Sequence, residues 1–134
     1  MTDVQGAKVM VFDFGGVLAE EGFRRGLAAI AKKHNLNEAD FFAFAHDLMY
    51  SSGYVTGRIN EQSYWQQVRK STGISDTDEA LRNEILSRFI LRPWMLRIVE
   101  DLKAKGNPSV ILSDQTNWLD ELNARDNFFK YFDI

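Results

Sequence analysis

Two apolar runs in this sequence each end in residues that can do chemistry. Val9-Met10-Val11-Phe12 runs into Asp13-Phe14-Gly15-Gly16, and Val110-Ile111-Leu112 runs into Ser113-Asp114. An acid at the carboxyl tip of a strand, followed by glycines, presents a carboxylate in a crevice with little steric cover. The glycines let the chain turn sharply and bring backbone N–H groups close to a bound anion. A carboxylate so placed can attack a phosphoryl or alkyl centre and form an ester intermediate. The same Asp13 can instead cap the turn that follows it, and spacing leaves both roles open.

The elements that must position these residues are two strands in a mostly helical chain. Lys8 to Phe12 and Ser109 to Leu112 are apolar almost throughout, which suits strands of a parallel sheet covered on both faces. A helix opening at Pro93 is predicted to feed the second strand, with Trp94, Met95, Ile98, Val99 and Leu102 facing inward, and Lys105-Gly106-Asn107-Pro108 ending it. Thr116 or Asn117 is predicted to cap a further helix carrying Trp118, Leu119 and Leu122. Between the strands the pattern predicts four helices. The first carries Phe23, Leu27, Ile30 and Ala31. The second is capped by Asn37 and broken at Ser51-Ser52-Gly53. The third runs from near Asn60 to Gly73 with Tyr64, Trp65 and Val68, and the fourth is signalled by Ser75 and Asp78. Trp65, Trp94, Trp118 and the Phe41, Phe42 and Phe44 cluster are expected in the core rather than on a stacking platform.

A parallel crossover needs only one helix, so the extra helices read as an insertion. The division expected is an α/β core of residues 1–17 and 92–134 with a helical cap of residues 18–91. Ligands of open α/β sheets bind at the carboxyl ends of the strands, where Asp13 and Ser113-Asp114 fall, and the insertion is expected to form a lid over that edge.

Composition narrows the class. The chain has 134 residues, enough to bury roughly two thirds of its unfolded surface. With 45% apolar and 26% charged residues it is composed as a folded protein, not a disordered one. The net charge of −3 argues against a nucleic-acid partner. The absence of cysteine excludes disulfides, zinc thiolates and a thiol nucleophile. No apolar run approaches a membrane span, and Met1 to Lys8 lacks the basic start and apolar core of a signal peptide. A cytoplasmic protein without membrane association is the expectation.

Taken together, Val9 to Leu18, the segment Val110 to Asn117 and the helical insertion between them resemble the haloacid dehalogenase superfamily, a group of mainly phosphatase-type hydrolases. Arg92-Pro93 opening the return helix and Lys105-Gly106 closing it are similar too, so the resemblance covers nearly the whole chain. It implies a Rossmann-like parallel sheet with a four-helix cap, and an Asp nucleophile on the central strand. Asp13 would be the nucleophile and a Mg²⁺ ligand, and the backbone carbonyl of Gly15 a second ligand. Ser113 would hydrogen-bond the transferring phosphoryl group, with Gly16 and Asp114 lining the phosphate site. The substrate implied is a small phosphorylated molecule, turned over through an aspartyl phosphate.

The chain departs from that pattern twice. Phosphatases of the family carry a second Asp two residues after the nucleophile, as general acid and base. Gly15 stands there, and such help is worth ~10²–10⁴-fold. Glu20 and Glu21 are near in sequence, though nothing in it brings them to the site. The family's Lys and its further acidic metal ligands belong beyond the second strand, and the sequence ends before them. Phe128 to Ile134 resembles the run into a third strand. The expectation is a truncated member, inactive as it stands, with an exposed core edge that favours a homodimer or a swapped assembly. Two alternatives stay open: a metal-independent haloacid dehalogenase, against which Gly15 counts because an aromatic residue is usual there, and a degenerate, non-catalytic binding or regulatory module.

Other signals carry less. Asp13-Phe14-Gly15 matches a protein-kinase tripeptide, but only 12 residues precede it. Gly15-Gly16 lacks the Gly-Lys-Ser/Thr of a P-loop. His34 and His46 are not at paired ligand spacing and read as solvated or capping side chains. Ser113 lacks the Gly-x-Ser-x-Gly elbow of a triad hydrolase. Arg24 and Arg25 suit a solvated face better than an anionic substrate.

Overall fold

In the computed structural model, which describes residues 8–133, strand β1 (Met10–Phe12) lies parallel to β2 (Ser109–Ile111). Met10 pairs with Ser109, Val11 with Val110 and Phe12 with Ile111. Between them run helices α1 (Gly22–Lys33), α2 (Glu38–Ser51), α3 (Glu61–Thr72), α4 (Asp78–Leu86) and α5 (Pro93–Ala104). After β2 come α6 (Trp118–Asp126) and a 3-10 turn, Phe129–Tyr131. The fold is α/β and Rossmann-like with a helical insertion. The chain divides into two units, residues 21–89 and residues 1–20 with 90–134.

In the α/β unit, Pro93 begins α5, where its missing N–H costs nothing. The buried face of α5 is Leu96 and Val99. Trp94 and Ile98, expected inward, are 50% and 42% exposed. Apolar residues surround this helix on more than one side, so their spacing does not select a face. Packing against β2 and the 3-10 turn selects it. Trp118 and Leu122 of α6 are buried as expected. Thr116 Oγ1 accepts from the Trp118 N–H at 3.4 Å, whereas Asn117 makes no capping bond.

The aromatic end of the chain finds partners within this unit. Phe128 stacks on Phe14, and Phe132 meets Phe12 edge-on at 6.2 Å. The Asp133 N–H then donates to Ser109 O at 2.9 Å while Asp133 Oδ2 accepts from the Ser109 N–H at 2.7 Å. Met10 already bonds Pro108 O, so the alternation of a parallel ladder turns Ser109's own backbone groups away from β1. Asp133 thus occupies the far edge of β2 at its first residue. Ile134 lies outside the described residues.

The helical unit follows its caps. Asn37 Oδ1 accepts from the Asp40 N–H and Asn60 Oδ1 from the Ser63 N–H, both at 2.9 Å. The cap of α4 is Thr77, bonding the Ala80 N–H at 3.1 Å, and not Ser75. Thr77 stands immediately before the first helical residue, where its oxygen reaches the orphan donor three residues on. Tyr64, Trp65 and Val68 of α3 are fully buried. Two glycines of α1 bring it close to α4. A Cβ on Gly22 would lie 2.2 Å from the Phe89 ring, and one on Gly26 would lie 2.6 Å from Ile85 Cα. His34, at the end of α1, and Lys33 both reach Asp76, at 3.2 and 3.0 Å. The Lys33 hydrogen bond leads in holding the Asp76 carboxyl below the usual range. Arg24 lies over the Phe42 ring at 3.9 Å. Among the described residues no helix is long and apolar enough to cross a membrane.

Candidate active site

The register of β1 and β2 decides where the chemistry-bearing residues fall. Phe12 pairs with Ile111 as the last step of the ladder, with the Leu112 N–H donating to Phe12 O at 2.9 Å. Asp13 and Ser113-Asp114 therefore leave the sheet at the same carboxyl end. Asp13 is exposed, Ser113 half-buried and Asp114 exposed. Asp13 Oδ1 accepts from the Phe14 N–H at 2.7 Å, a local capping bond that engages one of its two oxygens. Ser113 Oγ accepts from the Gln115 N–H at 3.2 Å. A hydroxyl that accepts still has its own proton to donate.

The loop after Asp13 is wound tightly. Phe14 O accepts from the N–H groups of Val17, Leu18 and Ala19 at 3.1, 2.9 and 3.1 Å, and the Gly16 N–H donates to Ala19 O at 2.7 Å. Gly16 has φ +81°, a conformation that glycine adopts without steric cost. Its carbonyl accepts from Arg92 Nη1 at 2.8 Å. Gly16 therefore has both backbone groups engaged within the chain. Among the described residues no such backbone bond involves Gly15.

Arg92 is the residue that sequence reasoning missed. It was legible only as the residue before Pro93, and its role depends on contacts more than 70 positions away. Its Nε and Nη2 meet the two carboxylate oxygens of Glu20 at 2.9 and 3.3 Å, and Nη1 also approaches Val17 O at 3.4 Å. The backbones run together as well, with the Glu20 N–H bonding Ile90 O at 2.9 Å and the Arg92 N–H bonding Leu18 O at 2.8 Å. Glu20 is thus paired with a guanidinium.

The donor set suits a hard cation in kind. One carboxylate with an oxygen not bound to Phe14, and one backbone carbonyl, match the oxygen preference of Mg²⁺, which keeps several waters and commonly uses one or two carboxylates. Among the described residues no group of three His, Cys, Asp or Glu side chains gathers to complete a protein cage.

An acid follows one parallel strand, a serine follows the next, and a helical insertion lies between them in an α/β fold. No protein-family model matches the sequence, and no curated protein matches it. Solved structures do match. A HAD-family enzyme from Bacteroides thetaiotaomicron is 17% identical with a TM-score of 0.65, covering 90% of this chain and 59% of its own. The same enzyme in complex with magnesium and inorganic phosphate matches at 15% and 0.58, over 90% and 60%. L-2-haloacid dehalogenase from Xanthobacter autotrophicus, with chloropropionic acid covalently bound, is 15% identical with a TM-score of 0.61, over 95% and 55%. A HAD phosphatase from Thermococcus onnurineus is 16% identical with a TM-score of 0.50, over 94% and 60%. The chain has the haloacid dehalogenase-like fold, and it spans about three fifths of the length of these enzymes.

Proposed function

We propose that the chain carries the nucleophile half of a phosphatase-type hydrolase acting on a small phosphorylated substrate in the cytoplasm. One observation carries this reading. The parallel register of β1 and β2 brings Asp13 and Ser113 to the same end of the sheet. In the proposed reaction an Asp13 oxygen attacks phosphorus, and the bond to the leaving oxygen breaks with its electron pair on that oxygen. Water then hydrolyses the aspartyl phosphate and regenerates the carboxylate. Ser113 donates its proton as a hydrogen bond to a phosphoryl oxygen, where charge needs stabilising. Asp13 and the Gly15 carbonyl would hold Mg²⁺, which when bound neutralises phosphoryl charge. With glycine at position 15 and Glu20 paired to Arg92, the leaving oxygen takes its proton from water. That favours good leaving groups.

The pairing of Glu20 with Arg92 also supports a second reading, a binding module that has lost catalysis. Assay of p-nitrophenyl phosphate with and without Mg²⁺ separates the two. Metal-dependent turnover that disappears in Asp13→Asn supports the hydrolase. Turnover unchanged in Asp13→Asn overturns it. Silence with phosphate binding retained favours the module, and metal-independent halide release from a 2-haloacid points to a dehalogenase.

A further inference from the structure

We infer that Arg92 is a positioning residue that sets the backbone of the loop following Asp13. The guanidinium serves three acceptors of that loop at once: Gly16 O, Val17 O and the Glu20 carboxylate. Two successive carbonyls that lean toward one point repel each other unless a donor lies between them, and here one cationic nitrogen does. The planar fork of arginine fixes its donors in directions that a lysine ammonium does not reproduce. Arg92 precedes Pro93 and makes no side-chain capping bond to α5, while its guanidinium also lies 5.9 Å from the centroid of the Trp94 ring. Gly15 lies between Asp13, anchored on β1, and Gly16, anchored on Arg92. Its peptide orientation is therefore set from both sides. Loss of the guanidinium removes the side-chain donor to Gly16 O and the cation beside Glu20, and lets this peptide rotate.

The consequence for catalysis rests on the reading of Asp13 as nucleophile, while the consequence for the loop does not. The test therefore has two arms, both on the full chain. In the first, amide hydrogen exchange is measured by NMR in Arg92→Gln and in the milder Arg92→Lys. Exchange at Gly16, Leu18 and Ala19 is expected to rise about tenfold or more in Arg92→Gln. Val99 of α5 and Val68 of the helical unit should stay within about twofold of the wild type. Arg92→Lys, which keeps the charge but not the fork, should fall between. Unchanged exchange at Gly16 and Leu18 in both variants overturns the inference, as does equal loss of protection at Val99, which marks general unfolding.

In the second arm, turnover of p-nitrophenyl phosphate should show kcat falling about tenfold in Arg92→Gln with KM nearly unchanged, since a residue that acts only through the loop makes no contact of its own with substrate. A rise in KM with kcat unchanged overturns the positioning role. A wild-type chain without turnover is the outcome expected of a truncated member, and the exchange arm then decides on Arg92 by itself.

Discussion

Phe128 stacks on Phe14 with ring centroids 4.8 Å apart and the ring planes 28° from parallel. Both rings are buried, so the residue next to Asp13 rests on the segment that follows α6. The loop that presents the carboxylate and the aromatic terminus are one packing unit.

Phe128→Ala is accordingly expected to cost about 3–5 kcal/mol of stability, the usual range for a buried phenylalanine. Urea unfolding followed by circular dichroism measures it. A cost below about 1 kcal/mol would mean that the terminal segment does not support the Asp13 loop.

A second prediction concerns the contact of α1 with α4. A Cβ on Gly26 would stand 2.6 Å from Ile85 Cα and 2.8 Å from its Cγ1. Backbone cannot give way as a side-chain tip can. Gly26→Ala gains about 1 kcal/mol of helix propensity, yet the overpacking is expected to outweigh it and leave a net loss of about 1–2 kcal/mol. Thermal melting of the variant checks the sign. A stabilised variant would show that α1 and α4 are free to separate.

Tyr64 gives the pH dependence. Its hydroxyl donates to Ala45 O at 2.8 Å in a fully buried site. Burial, and secondarily the neighbouring Tyr54, pushes its pKa well above the ordinary value of 10.0. The folded state therefore holds the proton where the unfolded chain releases it. Stability is fully present below pH 10 and declines as the pH rises above it. Tyr64→Phe should cost about 1 kcal/mol at neutral pH and remove most of the alkaline decline. Stability curves from pH 7 to 11 for both proteins test this, and parallel curves would assign the alkaline limb elsewhere.

What the sequence disclosed follows from how local each feature is. The Asn37 and Asn60 caps, the break at Ser51-Ser52-Gly53 and the stop at Gly73 depend on a few neighbouring residues, and each stands where its local chemistry puts it. Asp13 and Ser113 were legible because an apolar run that ends in a polar residue marks a strand tip. Trp94 and Ile98 were misread because apolar type alone does not tell which of the apolar residues of α5 pack inward. The bonds of Arg92 and of Asp133 were invisible because their partners lie 72 and 24 positions away. No periodicity records such a pair.

The last prediction concerns the sheet itself. Among the described residues it has two strands, with Asp133 at the outer side of β2 and no strand paired on the outer side of β1. Val9, Val11 and Leu112 are 58%, 57% and 72% exposed. An apolar strand with an open edge is a template for another chain, so a second copy is the expected occupant. Light scattering should show mass rising with concentration. Val11→Lys should keep the chain monomeric with little loss of melting temperature, because a side chain already more than half exposed gives up little packing while a lysine on an edge opposes pairing. A wild-type chain that stays monomeric at every concentration, or a Val11→Lys variant that associates as strongly, would rule out pairing through this edge.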